Sequence, residues 1–270
     1  MKIRKYGDGD RVLVLVHGGP GGAGSLSCMA RQYAEYGKGK VCILEPWQSA
    51  KTMWGQVEEL HQQILSATNK KVFLLGHSWG AWIVVLYASK YPDSLECVVL
   101  MSSGSFDDQY IPAIKARRER LLHGKHREAF ERLTEELSHM DAADQKEKFA
   151  LFAAIPHGDD YDVFEEEDDC VPNGEIYQSV WPEGAKMRSE GRLLEEAKKI
   201  KCPIYIIHGE EDPHPIEGVT GPFDEKGIQY ILYTIGRCGH SPWKERYGRD
   251  KLREFIFDKL IEPLMDLGKK

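Results

Sequence analysis

The chain has 270 residues, 41% of them hydrophobic and 29% charged, with a net charge of −7. That length is enough to bury a large core, and an ordinary globular composition with an acidic balance argues against a nucleic-acid partner. No apolar run approaches the ~18 residues of a membrane span, and residues 1–10 are short and charged rather than signal-like, so neither a membrane nor a secretory route is expected.

The six cysteines, at 28, 42, 97, 170, 202 and 238, form no CxxC pair and no metal-ligand spacing. Cys42, Cys97 and Cys202 sit in or beside apolar runs, where buried free thiols are common. A cytoplasmic protein with no structural disulfide, no metal and no cofactor is therefore expected. The basic stretch Lys115–Arg120 is broken by Glu119 and reads as a helix surface.

In chain order, short β-branched runs alternate with helical patterns, which predicts βα units and a mostly parallel sheet flanked by helices. Strands are predicted at Val12–Val16, Val41–Leu44, Val72–Leu75, Cys97–Met101, Ile204–Ile207 and Gln229–Thr234. Their near-continuous apolar character suits burial on both faces. Helices are predicted near Ser25–Tyr36, Gly55–Thr68, Ala81–Lys90 (stopped by Pro92) and Lys244–Leu267.

Between residues 105 and 191 the alternation lapses. Charged helical stretches near Ala113–Leu122, Arg127–His139 and Asp144–Ala154 give way to the acidic tract Asp159–Asp169 and a loop-like Val171–Gly184. The expected organisation is an α/β core of residues 1–104 and 192–270. A helical cap of residues 105–191 is inserted above the C-terminal ends of the strands.

Gly76-His77-Ser78-Trp79-Gly80 matches the G-x-S-x-G nucleophile elbow. The predicted strand before it and helix after it make the match specific. The sharp turn needs small residues on either side of the serine, and Gly76 and Gly80 supply them. A serine hydroxyl is a weak nucleophile without a base. Asp212 follows the strand Ile204–Ile207, with Glu210, Glu211 and Asp224 as rival carboxylates. His240 lies in the loop after the last strand. It would take the proton of Ser78 while Asp212 holds the imidazole. Of the other histidines, His208 reads as structural, His214 is flanked by prolines, and His77 adjoins the nucleophile.

His17-Gly18-Gly19-Pro20-Gly21-Gly22 follows the first predicted strand and lacks the spacing and lysine of a P-loop. Its backbone N–H groups suit an oxyanion hole. Gly19, or else Gly18, would supply one donor and Trp79 the other.

The loop at 17–22 and the elbow at 76–80 together resemble the α/β-hydrolase superfamily, and within it the prolyl aminopeptidase (proline iminopeptidase) branch. The resemblance covers about residues 10–105 and 200–265. It implies the α/β-hydrolase fold, with the cap following the sixth strand of the full fold, and a serine hydrolase. The implied substrate is a small ester, amide or short peptide. Where that branch usually carries Asp-Gln-Arg-Gly, this chain has Glu45-Pro46-Trp47-Gln48-Ser49, and it begins almost at the strand before the glycine loop.

Trp47, Trp79, Trp181 and Phe152 are candidate linings of an acyl pocket, with Trp47 and Trp181 taken as substrate-binding. An aminopeptidase would also need an acid for the substrate amine, for which Glu166 or Glu167 of the acidic tract is available. The function expected is acyl transfer from an ester or amide to Ser78. An aminopeptidase-like amide hydrolase and a non-catalytic binding relative of the same fold stand as alternatives.

Overall fold

The computed structural model describes residues 2–121, 124–138, 160–164 and 168–263. Strand β1 (Ile3–Tyr6) is followed by β2 (Arg11–Val16), helix α1 (Ser27–Tyr36), β3 (Val41–Pro46), α2 (Met53–Ala67), β4 (Val72–His77), α3 (Trp79–Lys90) and β5 (Leu95–Met101). Helices α4 (Ile111–Leu121), α5 (Gly124–Ser138), α6 (Gly174–Ser189) and α7 (Arg192–Ala197) precede β6 (Ile204–Gly209). Then come α8 (Glu217–Glu225), β7 (Ile231–Ile235) and α9 (Arg249–Glu254), which runs on as a π-helical stretch, Phe255–Ile261.

The seven strands form one sheet in the order β1-β3-β2-β4-β5-β6-β7. All pairings are parallel except that of β1 with β3. The alternation along β2 shows how both faces are used. Val12, Val14 and Val16 join a core with α2, α3 and α8, while Leu13 and Leu15 join the core built with α1 and Phe255–Ile261. A strand apolar at every position is the pattern expected for a sheet covered on both sides. Helix α3 lies at the centre of the first core, with every residue from Trp79 to Ala88 buried.

Several elements depart from expectation. β1 was not anticipated. Its sequence, Ile-Arg-Lys-Tyr, has no apolar run, and its antiparallel pairing with β3 at the sheet edge needs none. β7 begins at Ile231 rather than Gln229 and is not covered on both faces, since Ile231 and Leu232 are exposed at the other edge.

The loop-like reading of Val171–Gly184 is corrected, because helix α6 starts at Gly174. Asn173 caps it by accepting the Ile176 N–H, and Pro182 is accommodated inside it. The turn signals Pro172-Asn173-Gly174 therefore mark a helix start. The last helix starts at Arg249 instead of Lys244. Asp144–Ala154, Asp159, Glu166 and Glu167 lie outside the described residues. None of the six cysteines is in a disulfide.

The turn from β4 into α3 is sterically exacting. A Cβ on Gly80 would fall 2.2 Å from the Val16 carbonyl oxygen, and one on Gly76 would fall 2.3 Å from the carbonyl oxygen of Gly80. Backbone on both sides cannot yield cheaply. Gly80→Ala is expected to destabilise the fold by about 3 kcal/mol or more, read as a lowered denaturant midpoint with unchanged slope.

Candidate active site

Ser78 sits between β4 and α3 with φ +53° and ψ −115°, a conformation that non-glycine residues rarely adopt. Its backbone N–H donates to the Met101 carbonyl at 3.0 Å, which ties the turn to the end of β5. Strain held this way by surrounding structure is a frequent mark of a functional turn. The glycine loop abuts it. A Cβ on Gly18 would lie 3.2 Å from the Ser78 Cβ, and Gly22 N–H closes the loop onto the Gly18 carbonyl at 3.2 Å. The Gly19–Pro20 peptide is cis. His17 is buried, and burial lowers its pKa to about 4, so its imidazole is neutral and donates from Nδ1 to the Gly18 carbonyl at 2.8 Å.

The loops after β6 and β7 meet above this turn. Asp212 is fully buried, and its Oδ2 accepts from Nδ1 of His240 at 2.8 Å. His77, next to Ser78, donates from Nε2 to the His240 carbonyl at 3.0 Å, and the two rings lie 4.7 Å apart. The residue before the elbow serine thus holds the loop that carries His240. Burial alone would raise the Asp212 carboxyl. The neighbouring His240, His208 and His214 and a hydrogen bond from His214 outweigh it and hold the group well below the usual carboxylate range. Of the rival acids, Glu210 and Glu211 are exposed, and Asp224 accepts from the Tyr230 hydroxyl away from His240.

The two substrate-binding candidates lie in different surroundings. Trp181 of α6 stacks with Trp82 at 6.1 Å and Tyr177 at 5.6 Å and sits 6.0 Å from Trp79. The helix comes this close because Gly184 carries no side chain: a Cβ there would be 2.6 Å from the Trp79 ring. Trp47 instead lies at the β1 edge, under the Lys2 ammonium at 4.6 Å and the Arg4 guanidinium at 5.1 Å. Phe152 is outside the described residues.

Sequence reasoning missed two residues. His214 was set aside for its flanking prolines, yet its Nδ1 is 2.9 Å from Asp212 Oδ1 and its ring stacks on His240 at 4.6 Å. Glu245 is fully buried. It accepts the Gly239 N–H at 2.8 Å and the Tyr161 N–H at 3.0 Å, bracing the residue before His240. Neither has a local signature, because each becomes legible only once distant loops meet. Among the described residues, Asp212, His214 and His240 bring metal-ligand atoms within 4.8 Å of one another. Those same atoms already bond each other as donors and acceptor.

A fold of this order, a strained serine after the central strand, and an acid and a histidine in the last two strand-end loops define a class. The chain matches the family described as alpha/beta hydrolase fold over residues 11–245 and belongs to it. It is 26% identical over 212 residues to monoacylglycerol lipase ABHD6 of Homo sapiens, covering 71% of this chain and 56% of that protein. The chain thus spans little more than half the length of that relative. It is 26% identical over 259 residues to a proline iminopeptidase of Lactobacillus acidophilus, covering 87% of this chain and 85% of the relative. A crystal structure of a proline iminopeptidase from Mycobacterium smegmatis superposes with a TM-score of 0.60 at 16% identity, over 95% of this chain and 94% of that one. No helix among the described residues is long and apolar enough to cross a membrane.

Burial pushes the Glu245 carboxyl up to about 7, although the Gly239 N–H pulls the other way. A carboxyl raised on folding contributes most stability at low pH, and that contribution is lost as pH rises through about 7. The thermal midpoint should therefore fall more steeply between about pH 4.5 and pH 7 in the wild type than in Glu245→Gln, which cannot ionise, and the two should run parallel above about pH 8. Parallel midpoints across the lower range as well would count against this origin.

Proposed function

We propose that the chain is a serine hydrolase that cleaves the ester bond of a small acyl substrate through an acyl-enzyme on Ser78. The observation that carries this reading is the buried Asp212–His240 pair at 2.8 Å, held through His77 to the turn that bears Ser78. In this reading Ser78 Oγ attacks the acyl carbonyl and His240 takes its proton. Asp212 keeps the imidazole proton on Nδ1 and stabilises the imidazolium. The oxyanion that forms accepts from the backbone N–H groups of Trp79 and Gly19. Each such donor is worth about 3 kcal/mol when measured by removal. His240 then protonates the leaving alcohol, and a water activated by the same imidazole releases the acid.

The aromatic group of Trp79, Trp82, Trp181 and Tyr177 supports an apolar acyl group, with Trp181 as the cap's contribution. Trp47 is the weaker of the two candidate contacts because its ring is covered by Lys2 and Arg4. The cap is assigned to residues 105–191.

A second reading, an aminopeptidase-like amide hydrolase, is favoured by the extent of the proline iminopeptidase match. The chain departs from that branch at Glu45, the acid at the place of the Asp-Gln-Arg-Gly segment. It is buried, and its Oε2 accepts from the Tyr6 hydroxyl at 3.0 Å and from Arg4 at 3.4 Å, so in this reading the acid for a substrate amine would come from the acidic tract, as Glu166 or Glu167.

Ser78→Ala is expected to abolish turnover of p-nitrophenyl esters, and a fluorophosphonate should label the wild type once, at Ser78. Near-normal turnover by the variant would overturn the assignment. Activity should rise with pH through a histidine-like midpoint near ~6.5. Faster cleavage of a prolyl anilide than of short-chain esters would favour the amide reading.

A further inference from the structure

Asp212 serves two histidines. While Oδ2 meets His240, Oδ1 accepts both the backbone N–H of His214 at 2.8 Å and its ring Nδ1–H at 2.9 Å. The other ring nitrogen of His214 lies 3.4 Å from an Arg118 NH2 group of α4. A guanidinium only donates, so Nε2 is the acceptor and the proton of a neutral ring is on Nδ1. Burial lowers the His214 pKa below its ordinary value, in keeping with a neutral ring. Beside it, Arg117 of the same helix donates to the Asp212 carbonyl at 3.1 Å.

Two donors on one carboxylate oxygen fix the rotation of the whole group. We infer that His214 is a positioning residue: its Nδ1–H pins Asp212 Oδ1 so that Oδ2 stays on His240, and Arg118 makes that alignment depend on α4. The inference rests on the Ser78–His240–Asp212 reading above and names a fourth member of that site. His214 does not touch the reacting atoms. It acts through Asp212, and the stack of its ring on His240, at 4.6 Å and 28°, limits how far the imidazole can swing.

Removing the His214 donor has two consequences. The carboxylate is freed to rotate, which lowers turnover. Its negative charge is also less shared, so it attracts the His240 imidazolium more strongly and raises the pH at which the base is set free. The other titratable and charged groups facing the pair remain in place. They are His77 at the end of β4, His208 at 3.6 Å from Asp212 Oδ2, and Arg117 and Arg118 of α4.

The test separates ring from donor. His214→Phe keeps an aromatic ring and loses the N–H, whereas His214→Asn places an amide N–H where Nδ1 was and loses the ring. Ester turnover and fluorophosphonate labelling are measured against pH for both. His214→Phe should lose on the order of tenfold in kcat, the rate equivalent of one hydrogen bond to a charged group, with its pH midpoint moved upward. His214→Asn should keep the wild-type midpoint and most of the rate. Should His214→Phe fail to fold, His214→Ala carries the same comparison.

A wild-type midpoint in the variant that lacks the donor, whether or not its rate falls, overturns the inference, and so does His214→Asn behaving like His214→Phe. Turnover by Ser78→Ala is a separate outcome, which would overturn the serine reading itself.

Discussion

The buried carboxylate of Asp212 constrains everything around it. An ion taken out of water costs several kcal/mol unless donors replace the lost solvent. Here the replacements come from the rings of His214 and His240 and the backbone N–H of His214, drawn from the acid loop and the loop after β7, while His208 at the end of β6 lies 3.6 Å away and bonds the His214 carbonyl. The sheet order matters for this reason. β6 and β7 are neighbours, so their C-terminal loops face each other and His240 can reach the acid. β4 lies two strands away from β6 with β5 between, and the bond from Ser78 N–H to Met101 at the end of β5 carries the elbow into the same cluster.

Electrostatics and sterics act together. Histidines that would be ordinary surface bases are kept neutral by burial, His17 and His77 among them. A neutral imidazole is directional, giving one proton and taking another, and His77 uses this to hold the His240 carbonyl. The glycine contacts do comparable work on the backbone. Gly80 lets α3 start against the Val16 and His17 carbonyls, which brings the glycine loop and the elbow within van der Waals reach of each other.

What could be read in the sequence was what is local. The elbow was legible because its glycines answer to steric demands within five residues. The buried strands were legible because doubly covered strands are apolar throughout. β1 was not, since its place depends on an edge pairing with β3 rather than on its own composition. Helix α6 was hidden by Pro172, Asn173, Gly174 and Pro182, residues that usually end helices, although Asn173 here begins one. His214 and Glu245 could not be ranked above other histidines and glutamates. Their burial is produced by segments 26 and 84 residues away, those of His240 and Tyr161. For Trp47 the misleading factor was proximity in sequence to the family segment, while its ring is held by cations of the N-terminal strand.

The segment leading into α6 is bound to both of the loops it spans. On one side Val171 N–H reaches the Ala23 carbonyl and Asn173 N–H the Gly21 carbonyl. On the other, Phe164 N–H reaches Lys244 and Arg246 N–H reaches Asp162. Backbone bonds of this kind are worth about 1 kcal/mol each in net terms. Peeling the segment away whole would break all of them together, which makes such an opened state rarer by a factor of roughly a thousand. The described ends of this segment, residues 162–164 and 168–173, are therefore clamped on both flanks, one to the glycine loop and the other to the loop beyond His240.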